Sequence, residues 1–467
     1  MSTLRISINN NIALTDIPPE MKSWFIQNLT FDNPKYLEAL NHGRYTGNIE
    51  KYISMYTSLP TGIIIPRGWL QLVERSFINK GYDVDLHDSR ILLEPVSVKS
   101  DISLRSYQVP AKFDLLRHPN GILVAPAGSG KTVMGLEVFA SLRQRMLWVT
   151  HTKRLALQVQ ERILGTDKDP PLLLNVTKDD IGIIGSGKWK VGDKITIALV
   201  QTLVRRPHEL SELGREFGLV ICDEAHHSPA ATFLTVLRHF YAYYMYGLTA
   251  TPRRRDGLEN IMFATLGYPN ATISRKDVKA ASGIVTPKLI VRMVQSPAVE
   301  GNDYHKIMED NVIPNEQRSN MIAEDVVREA KAGNFCIVIN TRKVYCEILY
   351  EKISRYWAKT GIADGDYSDK HNQKQVERLE NNDITVLITT FDLLGEGFDV
   401  KKLNRGFIAL PFRERNRVEQ AVGRIQRTCE GKTDAVIYDY VDNNIGILKN
   451  QFRARSFVYK LLGIREA

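Results

Sequence analysis

Gly121-Ile122-Leu123-Val124-Ala125-Pro126-Ala127-Gly128-Ser129-Gly130-Lys131-Thr132 is a short apolar run that breaks into a glycine-containing loop and closes on a Lys-Thr pair. The residues after it, Lys131 to Leu142, carry amphipathic helical patterning. A strand that turns through glycines into a helix opening on Lys-Thr has the form of a phosphate-binding loop. Gly128 and Gly130 let the backbone bend closely around an anion. The amides from Ala127 through Ser129 and the helix N-terminus supply partial positive charge, and Lys131 reaches the outer phosphates. Thr132 is the candidate magnesium ligand of the loop. The first glycine of the general pattern is replaced by Ala125. A glycine-rich turn without this chemistry is the alternative, and the correctly spaced Lys-Thr pair argues against it. Such a loop belongs to a parallel sheet covered by helices, so the fold class is α/β.

Outward from the loop the same grammar continues. Apolar runs at Met146 to His151, Ile195 to Gln201, Leu219 to Asp223 and Tyr246 to Thr251 are further candidate strands, and Lys153 to Leu164 a second clear helix. After a connecting stretch near 270 to 300 the alternation resumes, with strands at Phe335 to Asn340, Thr385 to Thr390, Arg405 to Ala409 and Ala435 to Tyr440. Helices are expected at Arg342 to Tyr356 and at Val418 to Arg427. The expected organisation is a small N-terminal accessory domain over residues 1–98, a first α/β domain over 99–275 and a second over 276–467. The leading region shows neither a phosphate loop nor regular strand and helix alternation.

Composition bounds the partners. The 467 residues, 43% apolar and 25% charged, are ordinary for a globular protein, and no apolar run approaches the roughly 18 residues a membrane span needs. The N-terminal residues lack the pattern of a secretory signal, which leads to an expectation of cytoplasmic location. Cys222, Cys336, Cys346 and Cys429 form no CxxC pair and have no histidine at zinc-ligand spacing, so they are read as reduced thiols. A net charge of +9 suits a polyanionic partner without identifying one.

Two further constellations complete the nucleotide chemistry. Leu219-Val220-Ile221-Cys222-Asp223-Glu224-Ala225-His226 is an apolar strand ending in two acids, which puts both at the carboxyl edge where such sheets bind ligands. Asp223 is suited to holding magnesium and Glu224 to orienting and deprotonating an attacking water. Acids that merely cap a strand are the alternative, outweighed by the phosphate loop. Arg424 and Arg427 stand three apart in Gln420-Ala421-Val422-Gly423-Arg424-Ile425-Gln426-Arg427, on one face of the expected helix. Arginines supplied there stabilise transition-state charge by roughly 10³ to 10⁵ in rate. A solvated basic face is the competing account of the pair.

In order and spacing these signatures resemble superfamily-two helicases that carry a DEAH box, over most of residues 104–442. The resemblance implies two tandem RecA-like domains that bind ATP and Mg²⁺. Within it, Leu104-Arg105-Ser106-Tyr107-Gln108 is similar to the adenine-recognising segment, with Gln108 pairing the base and Arg105 and Tyr107 beside it. Leu248-Thr249-Ala250-Thr251-Pro252 resembles the segment linking hydrolysis to unwinding, to which His226 couples. Thr389-Thr390-Phe391 through Gly395-Glu396-Gly397-Phe398-Asp399 resembles the motif that meets both the nucleic-acid backbone and the ribose, so Gly397, Asp399 and Gln420 join the nucleotide set. Thr152, Lys153, Gln201, Thr202, Asn340, Arg342 and Thr390 are implied as phosphate contacts of a single-stranded track, although each is equally placed to cap a helix. Leu199 departs from the family, where threonine is common.

Arg253-Arg254-Arg255-Asp256-Gly257 after the Thr-Ala-Thr-Pro run, and Glu396 to Asp399, look most like the branch containing XPB, restriction-enzyme motors and phage UvsW-type helicases. That branch works on double-stranded DNA, and a phage recombination, repair or replication helicase is the expectation. The N-terminal stretches Gly43 to Gly47 and Ile65 to Trp69 resemble the leading domain of the UvsW type more loosely. Aromatics among Arg44, Lys51 and Arg67 suit stacking on unpaired bases, but Trp69 and Tyr52 read more readily as core. Phe240 to Tyr246 also reads as core, and residues 449–462 as an amphipathic helix packed on the second domain, with DNA within its reach. Three rivals stay open: an RNA helicase, a duplex translocase that never separates strands, and a scaffold that binds ATP without turnover.

Overall fold

The computed structural model describes residues 3–79, 81–126, 128–167, 169–224, 230–250, 258–282, 285–297, 303–391, 393, 400–427, 429 and 431–466. It divides into two compact units, Met1–Ala281 and Ser282–Ala467.

The first unit opens with a mixed sheet of β1 (Thr3–Ile8), β2 (Asn11–Thr15), β3 (Thr57–Ser58), β4 (Gly62–Pro66) and β5 (Asp83–Asp88), in the order β3-β4-β2-β1-β5. Alternate residues Leu4, Ile6, Ile8, Ile12 and Leu14 point to one face, as the two-residue period of a strand dictates, and are buried with Phe25, Ile63, Ile65, Trp69 and Phe77. Residues 1–98 do not announce this architecture in their patterning. It shows no alternation of parallel strands and helices because its strands pair chiefly in antiparallel fashion.

The second sheet of this unit has eight strands: β6 (Asn120–Val124), β7 (Met146–Thr150), β8 (Ile181–Gly185), β9 (Lys188–Trp189), β10 (Ile195–Leu199), β11 (Leu219–Asp223), β12 (Tyr244–Thr249) and β13 (Pro269–Thr272). Their order is β9-β8-β10-β7-β11-β12-β6-β13, parallel throughout except for the β8-β9 hairpin. The central strands are near-continuous apolar runs because both faces are covered. Helix α1 (Gln108–Leu116) leads into β6, and α2 (Lys131–Leu142), α3 (Lys153–Leu164), α4 (Val200–Val204) and α5 (Glu259–Leu266) lie between successive strands. Phe240, Met245 and Tyr246 are fully buried, as expected of the aromatic-rich run leading into β12.

The accessory sheet does not close its core alone. Leu258, Ile261 and Ala264, at the start of and along α5, belong to the same buried cluster as Phe25 and Trp69. Arg67, 1% exposed, donates to the carbonyls of Ala242 at 2.6 Å and Tyr243 at 2.9 Å and to Asn120 Oδ1 at 3.0 Å. Arg67 is therefore a buried connector between the accessory sheet and the eight-stranded sheet, so it is not among the exposed basic residues beside which aromatics could stack on unpaired bases. Trp69 is buried as expected, whereas Tyr52 is 45% exposed with Lys51 5.0 Å from its ring centre, so the core reading of Tyr52 is corrected.

The second unit has a six-stranded, all-parallel sheet: β14 (Lys288–Val294), β15 (Cys336–Asn340), β16 (Thr360–Ala363), β17 (Val386–Thr390), β18 (Arg405–Ile408) and β19 (Val436–Asp442), ordered β14-β19-β18-β15-β17-β16. Strand β14 falls in the stretch read from sequence as a connector; it is an edge strand of the sheet, interrupted by Arg292. Helices α6 (Lys343–Ser354), α7 (Arg415–Ile425) and α8 (Gly446–Leu461) pack on this sheet. Within α8, Arg455 is fully buried, pairing through two nitrogens with Asp439 at 2.7 and 2.8 Å and donating to Phe412 O at 2.7 Å. The helix thus packs on its domain as expected, and Arg455 is withdrawn from any surface role. All four cysteines are free thiols.

Candidate nucleotide site and nucleic-acid track

The loop after β6 and the acids after β11 meet at the carboxyl edge of the first sheet, with β12 between their strands. The backbone of the loop is held on that edge by Ala125, whose amide donates to Thr249 O at 2.9 Å. Gly128 and Gly130 take left-handed φ values of 79° and 85°, which a side-chain-bearing residue adopts only with strain. A Cβ on Gly130 would also come within 2.6 Å of Gln108 Nε2. Ser129 is buried, and its Oγ has no hydrogen-bond partner among the described residues. Lys131 and Thr132 open α2, so the loop amides and the helix N-terminus face the same space.

Lys131 Nζ lies 3.3 Å from Glu224 Oε1 and 3.3 Å from Ala125 O. Asp223, 6% exposed, ends β11, and its Oδ1 accepts from the Glu224 amide at 3.0 Å. Glu224 has φ 47°, left-handed for a non-glycine residue, a conformation with a penalty of roughly 1–2 kcal/mol that tends to be kept at functional sites. Burial, followed by the negative charge of Glu224, pushes the Asp223 carboxyl up to about 7, with Lys131 opposing the rise. Two acids in one sheet corner thus differ in environment: one buried and reluctant to ionise, the other half-buried beside an ammonium.

These residues fit a magnesium nucleotide. The described residues contain no cluster of three or more His, Cys, Asp or Glu that would cage a metal alone. Magnesium is commonly held by one or two protein oxygens plus substrate phosphates and water, a role open to Thr132 and Asp223. A cation beside a carboxyl raised by burial also returns it to its ionised form.

The segment read as adenine-recognising, Leu104 to Gln108, sits against the loop. Gln108 Nε2 donates to Ser129 O at 2.8 Å, its Oε1 accepts from the Arg105 amide at 2.8 Å, and the residue is 3% exposed. Tyr107 OH donates to Ser129 O at 3.2 Å and receives Arg105 NH1 at 3.0 Å. In this arrangement both amide groups of Gln108 are engaged with the protein, so the segment braces the phosphate loop.

The track residues divide. Thr152 N-caps α3, accepting from Leu155 N at 3.3 Å, and Lys153 beside it is exposed. Gln201 and Thr202 lie on α4 after β10, the neighbour of β7, so these four share one edge of the sheet. In the second unit Asn340 and Thr390 are register partners at the ends of β15 and β17. Both are buried; Asn340 Nδ2 lies 3.3 Å from Cys346 Sγ, and the direction of that side chain is invisible to sequence. Arg342 lies one turn on, 2.8 Å from His305 Nδ1.

Helix α7 carries Gln420 and Arg424, but it ends at Ile425 with Gln426 as C-cap. Arg427 lies beyond the helix, which corrects the expectation that the two arginines share one helical face. The reason is Lys432, a residue the sequence reading passed over. Its ammonium donates to Ile425 O at 2.5 Å and Arg427 O at 2.6 Å, taking carbonyls that a continuing helix would use. A glycine-lysine pair soon after the end of a helical pattern was the available signal. Ala127, His226, Thr251, Gly397 and Asp399 lie outside the described residues.

A family model described as Type III restriction enzyme, res subunit, matches residues 101–254, and one described as Helicase conserved C-terminal domain matches residues 318–429. The DNA 3'-5' translocase XPB2 of Sulfurisphaera tokodaii is 32% identical over 212 residues, 45% of this chain and 44% of its own. The protein named Probable helicase D10 of Escherichia phage T5 is 24% identical over 417 residues, 88% of this chain and 87% of its own. Dbp5 of S. cerevisiae, solved bound to RNA and ADP BeF3, shares the fold with TM-score 0.55 over 78% of this chain and 90% of its own, at 17% identity. The chain spans 63% and 44% of the lengths of two of the curated relatives it matches.

Proposed function

We propose, from the premise that the chain carries the paired domains of superfamily-two helicases related to XPB and restriction-type motors, that it is an ATP-driven DNA helicase or translocase. The reading rests chiefly on one observation. A left-handed glycine loop ending in Lys131 and a two-acid strand end meet at one sheet edge, with 3.3 Å between Lys131 and Glu224.

In this reading the amides of Gly128 to Thr132 and the Lys131 ammonium bind the outer phosphates. Thr132 and Asp223 hold the magnesium ion, which screens phosphate charge when bound. Glu224 orients the attacking water and takes its proton. Arg424 and Arg427 of the second unit serve the hydrolytic step. Thr249, whose carbonyl receives the Ala125 amide, relays the state of the loop along β12. The track residues that reach the surface, Thr152, Lys153, Gln201, Thr202 and Arg342, hold phosphates, which fixes position and carries no base sequence.

DNA is the proposed substrate because XPB2 is named a DNA translocase and because a D10-like helicase occurs in a phage. Recombination, repair or replication on branched DNA is the proposed setting. The test is ATP hydrolysis by wild type and Glu224→Gln with no nucleic acid, single-stranded DNA, duplex DNA, a four-way junction and matched RNA. The expected result is stimulation by DNA, greatest with the junction and lost in the variant. Stimulation by RNA alone moves the chain to the RNA helicases, and no turnover on any substrate leaves an ATP-binding scaffold.

A further inference from the structure

We propose that Lys432 is a positioning residue for Arg427, its ammonium fixing the main chain from which that arginine projects; this rests on the reading of the chain as an ATP hydrolase. An ammonium has three N–H donors. Those of Lys432 meet Ile425 O at 2.5 Å, Arg427 O at 2.6 Å and Leu403 O at 2.5 Å, with Lys401 O further off at 3.5 Å. The carbonyls come from the last residue of α7, from Arg427 itself and from the segment that leads into β18. One side chain therefore ties the end of the arginine-bearing helix to residues shortly after the segment read as the ribose-contacting motif.

The local backbone is shaped for this. Gly431 has φ +80° and the Lys432 amide donates to Cys429 O at 3.2 Å, a tight turn that carries Lys432 back beneath the helix end. The ammonium also sits where the helix C-terminus concentrates negative partial charge. Arg424 is placed by the hydrogen bonds of α7. Arg427 lies past the end of the helix, and the lysine ammonium takes its carbonyl. Four titratable or charged groups act on Lys432: Cys429 and Asp434 favour its charge, Arg427 and Arg405 oppose it, and burial brings it down to about 8.

A lysine that merely caps a helix would give the same distances, so the test reads hydrolysis through Arg427. Turnover, KM for ATP and melting temperature are measured for wild type, Lys432→Met, Lys432→Arg, Arg427→Ala and the Arg427→Ala/Lys432→Met pair, with the most stimulating nucleic acid. Misplacing a catalytic group by about 1 Å is worth on the order of 10²-fold. Lys432→Met is expected to lose about that much in kcat with KM within about threefold, and Lys432→Arg to recover most of it. The double variant is expected to be no slower than Arg427→Ala alone. Above pH 8 the wild-type rate should fall as the ammonium loses its proton, while that of Lys432→Arg stays level.

A wild type without turnover defeats the functional reading itself. A wild type that turns over, with a Lys432→Met rate within twofold of it, overturns only the positioning role. Additive losses in the double variant overturn it as well. Where Lys432→Met does not fold, the pH profiles of wild type and Lys432→Arg decide: parallel profiles overturn the role.

Discussion

At the scale of single residues, Asp223 carries the tension of the candidate site. Its carboxyl ends a central strand, is 6% exposed, and is raised to about 7 by burial and then by Glu224. In an unfolded chain an aspartate titrates near 4. Between those values the folded protein holds a proton that the unfolded chain has released, so stability falls as pH rises from about 4 to about 7 and levels off above. Asp223→Asn removes the titration. The melting-temperature gap between Asp223→Asn and wild type should therefore widen from pH 5 to pH 7, with the variant higher, and stay constant from pH 7 to pH 9. A gap independent of pH would show that Asp223 titrates normally. Magnesium needs the ionised form, so nucleotide binding in its presence should tighten as pH rises through about 7 in wild type only. Sequence made Asp223 and Glu224 readable as a functional pair only in the company of the phosphate loop, since acids at a strand end alone can simply cap it. It left unreadable which of the two is buried, since that depends on neighbouring strands distant in sequence.

At the scale of elements, the joints between elements were less legible than the elements. The pattern of Val418 to Arg427 continues as a good helix, and its stop is set just past the pattern, where the Lys432 ammonium takes two carbonyls five and seven residues back. The burial of Arg67 is hidden from sequence because its three acceptors come from residues 53, 175 and 176 positions away. Those bonds, with the core shared by α5, make the accessory sheet part of the first unit's packing. Arg67→Met leaves a buried carbonyl, a partly buried carbonyl and a buried amide oxygen without their donor. The expected loss is about 3 kcal/mol in denaturant unfolding, given ~1–3 kcal/mol for each stranded group and partial rescue by relaxation. A loss under about 1 kcal/mol would mean that the contact adds little to the joint. Because the guanidinium is buried, the same variant, studied while folded, should leave the salt dependence of DNA binding unchanged.

At the scale of the whole molecule, the alternation of strands and helices was enough to read two α/β domains, because both faces of each parallel sheet must be covered by crossover helices. Electrostatics was legible only as a total. Of the net +9, Met1–Ala281 holds +7, with 34 Lys and Arg against 27 Asp and Glu. A basic surplus concentrated there favours a phosphate contact from the first unit's sheet edge, where Lys153 is exposed beside the capping Thr152. The proposed track is otherwise mostly neutral: of its seven residues only Lys153 and Arg342 carry charge, so only they displace counterions. Each such contact adds about 0.7 to the slope of log affinity against log salt on single-stranded DNA. Lys153→Ala should thus weaken binding about equally across DNA sequences and reduce that slope by about 0.7, read by titrations of single-stranded DNA from 50 to 200 mM salt. Thr152→Ser should leave the slope alone while keeping the cap. If Lys153→Ala binds with an unchanged slope, the phosphates lie elsewhere on the first unit, and its surplus charge steers DNA without marking the track.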